Sequence, residues 1–133
     1  MKRAELREHI FKVIFGLEFN EEDALAEQIE LYFDQLEEDA KEKDLEYIRT
    51  KVQKISEKVK DIDVLINEKT KGWKTTRMNK ADLSILRLAV FEMKWDEDVP
   101  VGVAIDQAVE LAKKYSSDDG PSFVNGILAK VVK

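Results

Sequence analysis

The chain has 133 residues, 44% of them hydrophobic and 38% charged, with a net charge of −6. That length supports one domain with its own core, so a single domain over 1–133 is expected. The absence of cysteine and the single histidine, His9, exclude disulfides, thiolate metal sites, thiol nucleophiles and paired-histidine acid–base schemes. No apolar stretch approaches the ~18 residues of a membrane span or the core of a signal peptide, so a cytoplasmic protein with no membrane partner is expected.

Five glycines, two prolines and apolar residues recurring at three and four predict an all-α fold. A first helix over 3–18 carries the stripe Leu6, Ile10, Val13, Ile14 and Leu17. Arg3, Arg7, Phe11 and Phe15 step by four along a neighbouring strip. A second helix over 22–38 turns Leu25, Ile29, Tyr32, Phe33 and Leu36 inward. A third, over 45–70, carries Leu45, Ile48, Val52, Ile55, Val59, Ile62 and Ile66, and Gly72 marks its end. Asn79 followed by Asp82 reads as an N-cap with a first-turn acid. The helix it opens, over 80–95, is apolar nearly all round and belongs at the centre of a bundle. Pro100 suits the start of a helix over 101–115, whose Ala104, Ala108, Leu111 and Ala112 share a face. A last helix over 121–131 buries Val124, Ile127, Leu128 and Val131.

Charge is unevenly placed. Residues 18–46 hold thirteen acids and only two bases, Lys41 and Lys43, a balance of −11 that leaves +5 for the rest of the chain. The acidic pI therefore does not exclude a polyanionic partner, because local field governs encounter. The plain role for the acidic segment is a solvated face.

No catalytic constellation stands out. There is no glycine-rich phosphate loop, and carboxylates on solvated helix faces have no reason to shift towards a catalytic range. His9 is expected to be partly exposed on its helix, with no catalytic role. A non-enzymatic protein without cofactor or metal, acting through its surfaces, is the expectation.

From residue 85 onward the sequence resembles the NusB transcription antitermination family. Ile85-Leu86-Arg87-Leu88-Ala89-Val90-Phe91-Glu92 is followed by Asp98-Val99-Pro100, then by Val103-Ala104-Ile105-Asp106-Gln107-Ala108-Val109-Glu110-Leu111-Ala112-Lys113, then by Phe123-Val124-Asn125-Gly126-Ile127-Leu128. The order and spacing are the family's, and Arg7-Glu8 followed by Phe15 is similar to its first helix. The resemblance is weak between Glu18 and Lys71.

This resemblance implies a bundle of about six to seven helices in two packed sub-bundles. It implies binding of boxA, a short single-stranded RNA, jointly with the ribosomal protein NusE, so that RNA polymerase in the elongation complex reads through terminators in rRNA operons. Carried over by position, the RNA-binding residues are Lys2, Arg3, Arg7, Phe15, Asp119 and Phe123, and the partner-binding residue is Asp82. Cations along a backbone and flat side chains for bases are what a single strand requires.

Each residue also has a plainer role. Phe11 and Phe15 read first as core, Lys2 and Arg3 as a solvated terminus, Asp119 as the N-cap of the last helix, and Asp82 as an acid favoured by the helix dipole. Arg87 is expected to be partly buried and paired with Glu92 or an acid on the next helix. Gly126, inside a helix, points first to close packing. Several positions depart from the family: Phe15 replaces a tyrosine, and Pro121 and Ser122 replace histidine and lysine. These changes predict weak RNA binding by the chain alone. The alternative is a helical adaptor or homodimer that binds only protein. A methyltransferase carrying such a domain is not expected, because no cofactor-binding pattern or nucleophilic cysteine is present.

Overall fold

The computed structural model describes residues 1–17, 24–36 and 39–133. Among them are six α-helices and no strand: α1 (Arg3–Gly16), α2 (Leu25–Asp34), α3 (Glu42–Lys69), α4 (Lys80–Trp95), α5 (Val101–Tyr115) and α6 (Gly120–Val132), with a 3-10 turn at Thr75–Arg77. The all-helical expectation holds. The expected helix ends at 18, 22 and 38, with six acids of the acidic segment, lie outside the described residues. The chain divides into two compact units, Met1–Glu57 and Lys58–Lys133, and α3 starts in the first and ends in the second.

In the first unit the stripe of α1 is buried as expected, with Ile10 and Ile14 at or near zero exposure. Ile29 of α2 and Ile48, Val52 and Ile55 of α3 are fully buried. Each such side chain contributes about 1.5–3 kcal/mol relative to exposure. His9 departs from expectation: it is buried, and its Nδ1 lies 2.7 Å from the Tyr32 hydroxyl of α2. The reason is visible in the helix period, since Leu6, His9, Ile10 and Val13 follow i, i+3, i+4, i+7 and so share one face. Arg49 ties α2 to α3, donating to Glu30 at 2.8 Å and to Glu46 at 2.5 Å, with its guanidinium 5.3 Å from the Phe33 ring centre. The hydrogen bond to Glu30 is the main reason its pKa rises above the ordinary arginine value, against a smaller desolvation effect.

In the second unit α4 packs against both α5 and α6. Ile85, Leu86, Leu88, Ala89 and Val90 are all buried, as an all-round apolar helix requires. Ala104, Ala108 and Ala112 sit buried along α5, where small side chains permit a close neighbour. Arg87 is partly buried and paired, as expected, and it donates to Asp63 of α3, 24 residues earlier, through two bonds of 3.0 and 2.7 Å. Gly72 ends the α3 region at φ +89°, a conformation that only glycine adopts readily.

Candidate nucleic-acid interface

Lys2 and Arg3 open α1 and are exposed. The ammonium of Met1 donates to Asp44 at 3.0 Å, which fixes the chain just before them. Cations at a helix N-terminus oppose the macrodipole by about 0.3–1 kcal/mol each. Helix stability therefore does not explain Lys2 and Arg3.

The strip that follows does not stay at the surface. Arg7 is 7% exposed and engaged within the chain, and Phe11 is 2% exposed. Position 7 lies one turn before the buried Phe11 and so shares the edge of the apolar face. Arg7 thus stands inside the structure rather than on an open cationic edge. Phe15, one turn further, emerges at 41% exposure, its ring centre 5.9 Å from that of Phe11. The core reading is right for Phe11, while Phe15 is backed by the core and open to solvent.

In the second unit, Asp119 occupies the N-cap position of α6 with αR backbone (φ −84°, ψ −10°) and forms no side-chain cap bond. Capping geometry needs an extended cap residue. Here the preceding turn, closed by Gly120 N–H donating to the Ser117 carbonyl at 2.9 Å, holds the residue helical. The expected capping bond is absent, and Asp119 is exposed. Phe123 is half-buried and meets Trp73 edge to face, ring centres 5.3 Å apart at 68°. Trp73 is 55% exposed. Periodicity gave no reason to single it out, since it lies between helices. The available signal was its setting: residues 69–80 hold five cations and no acid.

Asp82 faces inward, with 4% exposure. Its backbone N–H donates to Asn79 Oδ1 at 2.8 Å, the Asn79 amide donates to its Oδ2 at 2.9 Å, and the Ser116 hydroxyl donates to its Oδ1 at 2.5 Å. It therefore fixes the start of α4 to the end of α5. Gly120 packs into the same corner. A Cβ there would stand 2.1 Å from Ser116 Oγ and 2.5 Å from Ser116 Cβ. Gly126 behaves oppositely: a Cβ there meets nothing within 4 Å, and the position is exposed, so close packing does not account for it.

The structure thus sets Lys2, Arg3 and Phe15 at the surface of the first unit, and Asp119 and Phe123, with Trp73, at the surface of the second. No group of three His, Asp or Glu side chains suited to a metal occurs among the described residues, and no helix there is long and apolar enough to cross a membrane.

These features define a small all-helical protein whose open cations and aromatics suit a flexible anionic ligand. The NusB family model matches residues 4–133, so the chain belongs to the NusB family. It is 51% identical over 132 residues to the transcription antitermination protein NusB of Lachnoclostridium phytofermentans, covering 99% of each chain. It is 49% identical to that of Agathobacter rectalis, covering 98% of each. Among solved structures, T. maritima NusB is 32% identical and superposes with a TM-score of 0.81, covering 98% of this chain and 90% of that one. A structure of antitermination factors NusB and NusE in complex with dsRNA shares the fold at 22% identity, with a TM-score of 0.79 and coverage of 98% and 97%.

Proposed function

We propose that this chain is a transcription antitermination factor that holds boxA-type single-stranded RNA jointly with the ribosomal protein NusE, so that RNA polymerase reads through terminators in rRNA operons. The carrying observation is that the first unit exposes cations that helix physics does not require, Lys2 and Arg3, on the same helix as the exposed aromatic Phe15. The names of its relatives and the NusB–NusE structure that shares its fold support the same reading. Lys2 and Arg3 take phosphates, Phe15 and Phe123 offer flat faces to bases, and Asp119 accepts from base amino groups. Arg7 acts from beneath, holding α1 in place. Asp82 likewise serves the partner surface by fixing the entry to α4, with direct contact left to exposed neighbours. The two units work as one RNA-binding domain over 1–133, in the cytoplasm, by presenting surfaces rather than by catalysis.

The test is co-retention. Tagged NusE is mixed with this chain and either boxA-type RNA or a scrambled strand. The proposal expects retention of all three components with boxA and loss of the RNA when it is scrambled. Capture of the chain by NusE with no RNA retained under any condition would favour the protein-only adaptor.

A further inference from the structure

We propose that Trp73 and the acid-free segment 69–80 form a second element of the RNA surface. Trp73 stacks an unpaired base beside Phe123, and Lys71, Lys74 and Arg77 hold the flanking phosphates. This inference rests on the RNA-binding reading and adds residues to it that the family pattern did not supply.

The first support is charge. The chain outside the acidic segment sums to +5, and the five cations Lys69, Lys71, Lys74, Arg77 and Lys80, with no acid among them, account for a charge of +5 within twelve residues. All five are exposed. Lys69 donates to the Lys133 carbonyl at 3.0 Å, and Lys80 is also engaged. Lys71, Lys74 and Arg77 make no ion pair with any described residue. Concentrated and uncompensated positive charge favours a polyanion over a neutral protein face.

The second support is the tryptophan. A large aromatic side chain left 55% exposed is not serving the core. One side of it is held by Phe123, and the rest is open. A flat, open ring between cations is the pattern used for unpaired bases, which stack irrespective of sequence.

The third support is rigidity. The Trp73 N–H donates to the Thr70 carbonyl at 2.8 Å, around the φ +89° turn of Gly72. The buried Thr75 donates its N–H to Asn67 Oδ1 of α3 at 2.9 Å, which pins the 3-10 turn carrying Arg77. The segment is held in shape before any ligand arrives, so less ordering entropy is lost on binding.

The experiment uses Trp95→Phe protein, in which Trp73 is the only tryptophan, and a fluorescein-labelled boxA-type oligoribonucleotide, with and without NusE. Anisotropy reads RNA binding and tryptophan emission reads stacking. The inference predicts quenching of Trp73 at saturation. Trp73→Ala should weaken RNA binding roughly 10-fold or more, and Trp73→Phe should recover most of it. Lys74→Ala with Arg77→Ala, which leaves the aromatic pair intact, should flatten the log K against log salt slope by about 0.7 per lost contact. RNA binding that survives Trp73→Ala unchanged, with no quenching, overturns this subsite and leaves the RNA-binding reading standing. No RNA binding by the unsubstituted protein, alone or with NusE, overturns both. Loss of NusE capture by Trp73→Ala in the absence of RNA, with RNA affinity intact, makes this a protein face and also overturns the inference.

Discussion

Gly120→Ala is the sharpest test of the corner that positions Asp119 and Phe123. The added Cβ would stand 2.1 Å from Ser116 Oγ and 2.5 Å from Ser116 Cβ. The hydroxyl can rotate away, but only by giving up its 2.5 Å bond to the buried Asp82 carboxylate. The Cβ cannot rotate away at all, so backbone must shift. Overpacking of this kind costs about 1–3 kcal/mol, and a lost hydrogen bond to a charged group costs a similar amount. Alanine's better helix propensity returns less than about 1 kcal/mol. The net expectation is about 1–5 kcal/mol of destabilisation. With about 2.1 cal/mol/K of unfolding entropy per residue, that is a fall in Tm of about 4–18 °C. Urea unfolding followed by circular dichroism gives the value. The same substitution in a Ser116→Gly background, where both clashing atoms are gone, should cost little or nothing. A Gly120→Ala protein within about 0.5 kcal/mol of its parent, or an equal cost in both backgrounds, refutes the reasoning.

Four other outcomes follow from the same geometry. Gly126→Ala should stabilise the protein by about 0.5–1 kcal/mol, because its Cβ meets nothing and alanine lowers the entropy of the unfolded chain; an unchanged or lower urea midpoint contradicts this. Arg87→Ala leaves Asp63 without its two-bond partner and should cost about 2 kcal/mol in the same unfolding experiment. Tyr32→Phe removes the hydroxyl that meets buried His9 and should cost about 1 kcal/mol. Arg3→Glu and Arg7→Glu should separate: the first leaves stability unchanged or raises it by up to about 2 kcal/mol, since it removes a cation and adds an acid at the start of α1, while weakening RNA binding; the second costs about 2 kcal/mol or more because Arg7 is buried.

The helices were legible because their stripes are long and their period is clear. The α4 run from Ile85 to Phe91 and the Asn79–Asp82 cap needed no tertiary information. What sequence could not place were contacts between elements distant in the chain. Arg87 donates to Asp63 of α3, and nothing local in the sequence points to that acid. Asp119 has the right side chain for a cap, yet the turn at Ser117 sets its backbone helical and the bond is not made. His9 differs: it is polar, yet its place on the face of Leu6, Ile10 and Val13 decides its burial. Trp73 lies in no periodic segment, so pattern reading passed over it, while the charge run around it carried the signal.

The account stands or falls on salt-dependent capture of an unpaired strand. Equilibrium binding of boxA-type RNA, measured by anisotropy from low to moderate salt with and without NusE, tests it most directly. Phosphate contacts from Lys2 and Arg3 predict a slope of log K against log salt of about −1.4, steepening to about −3.5 with Lys71, Lys74 and Arg77, together with weak binding by the chain alone and a marked gain when NusE is added. Tight binding by the isolated chain that ignores salt, or no RNA binding in the presence of NusE, would contradict it.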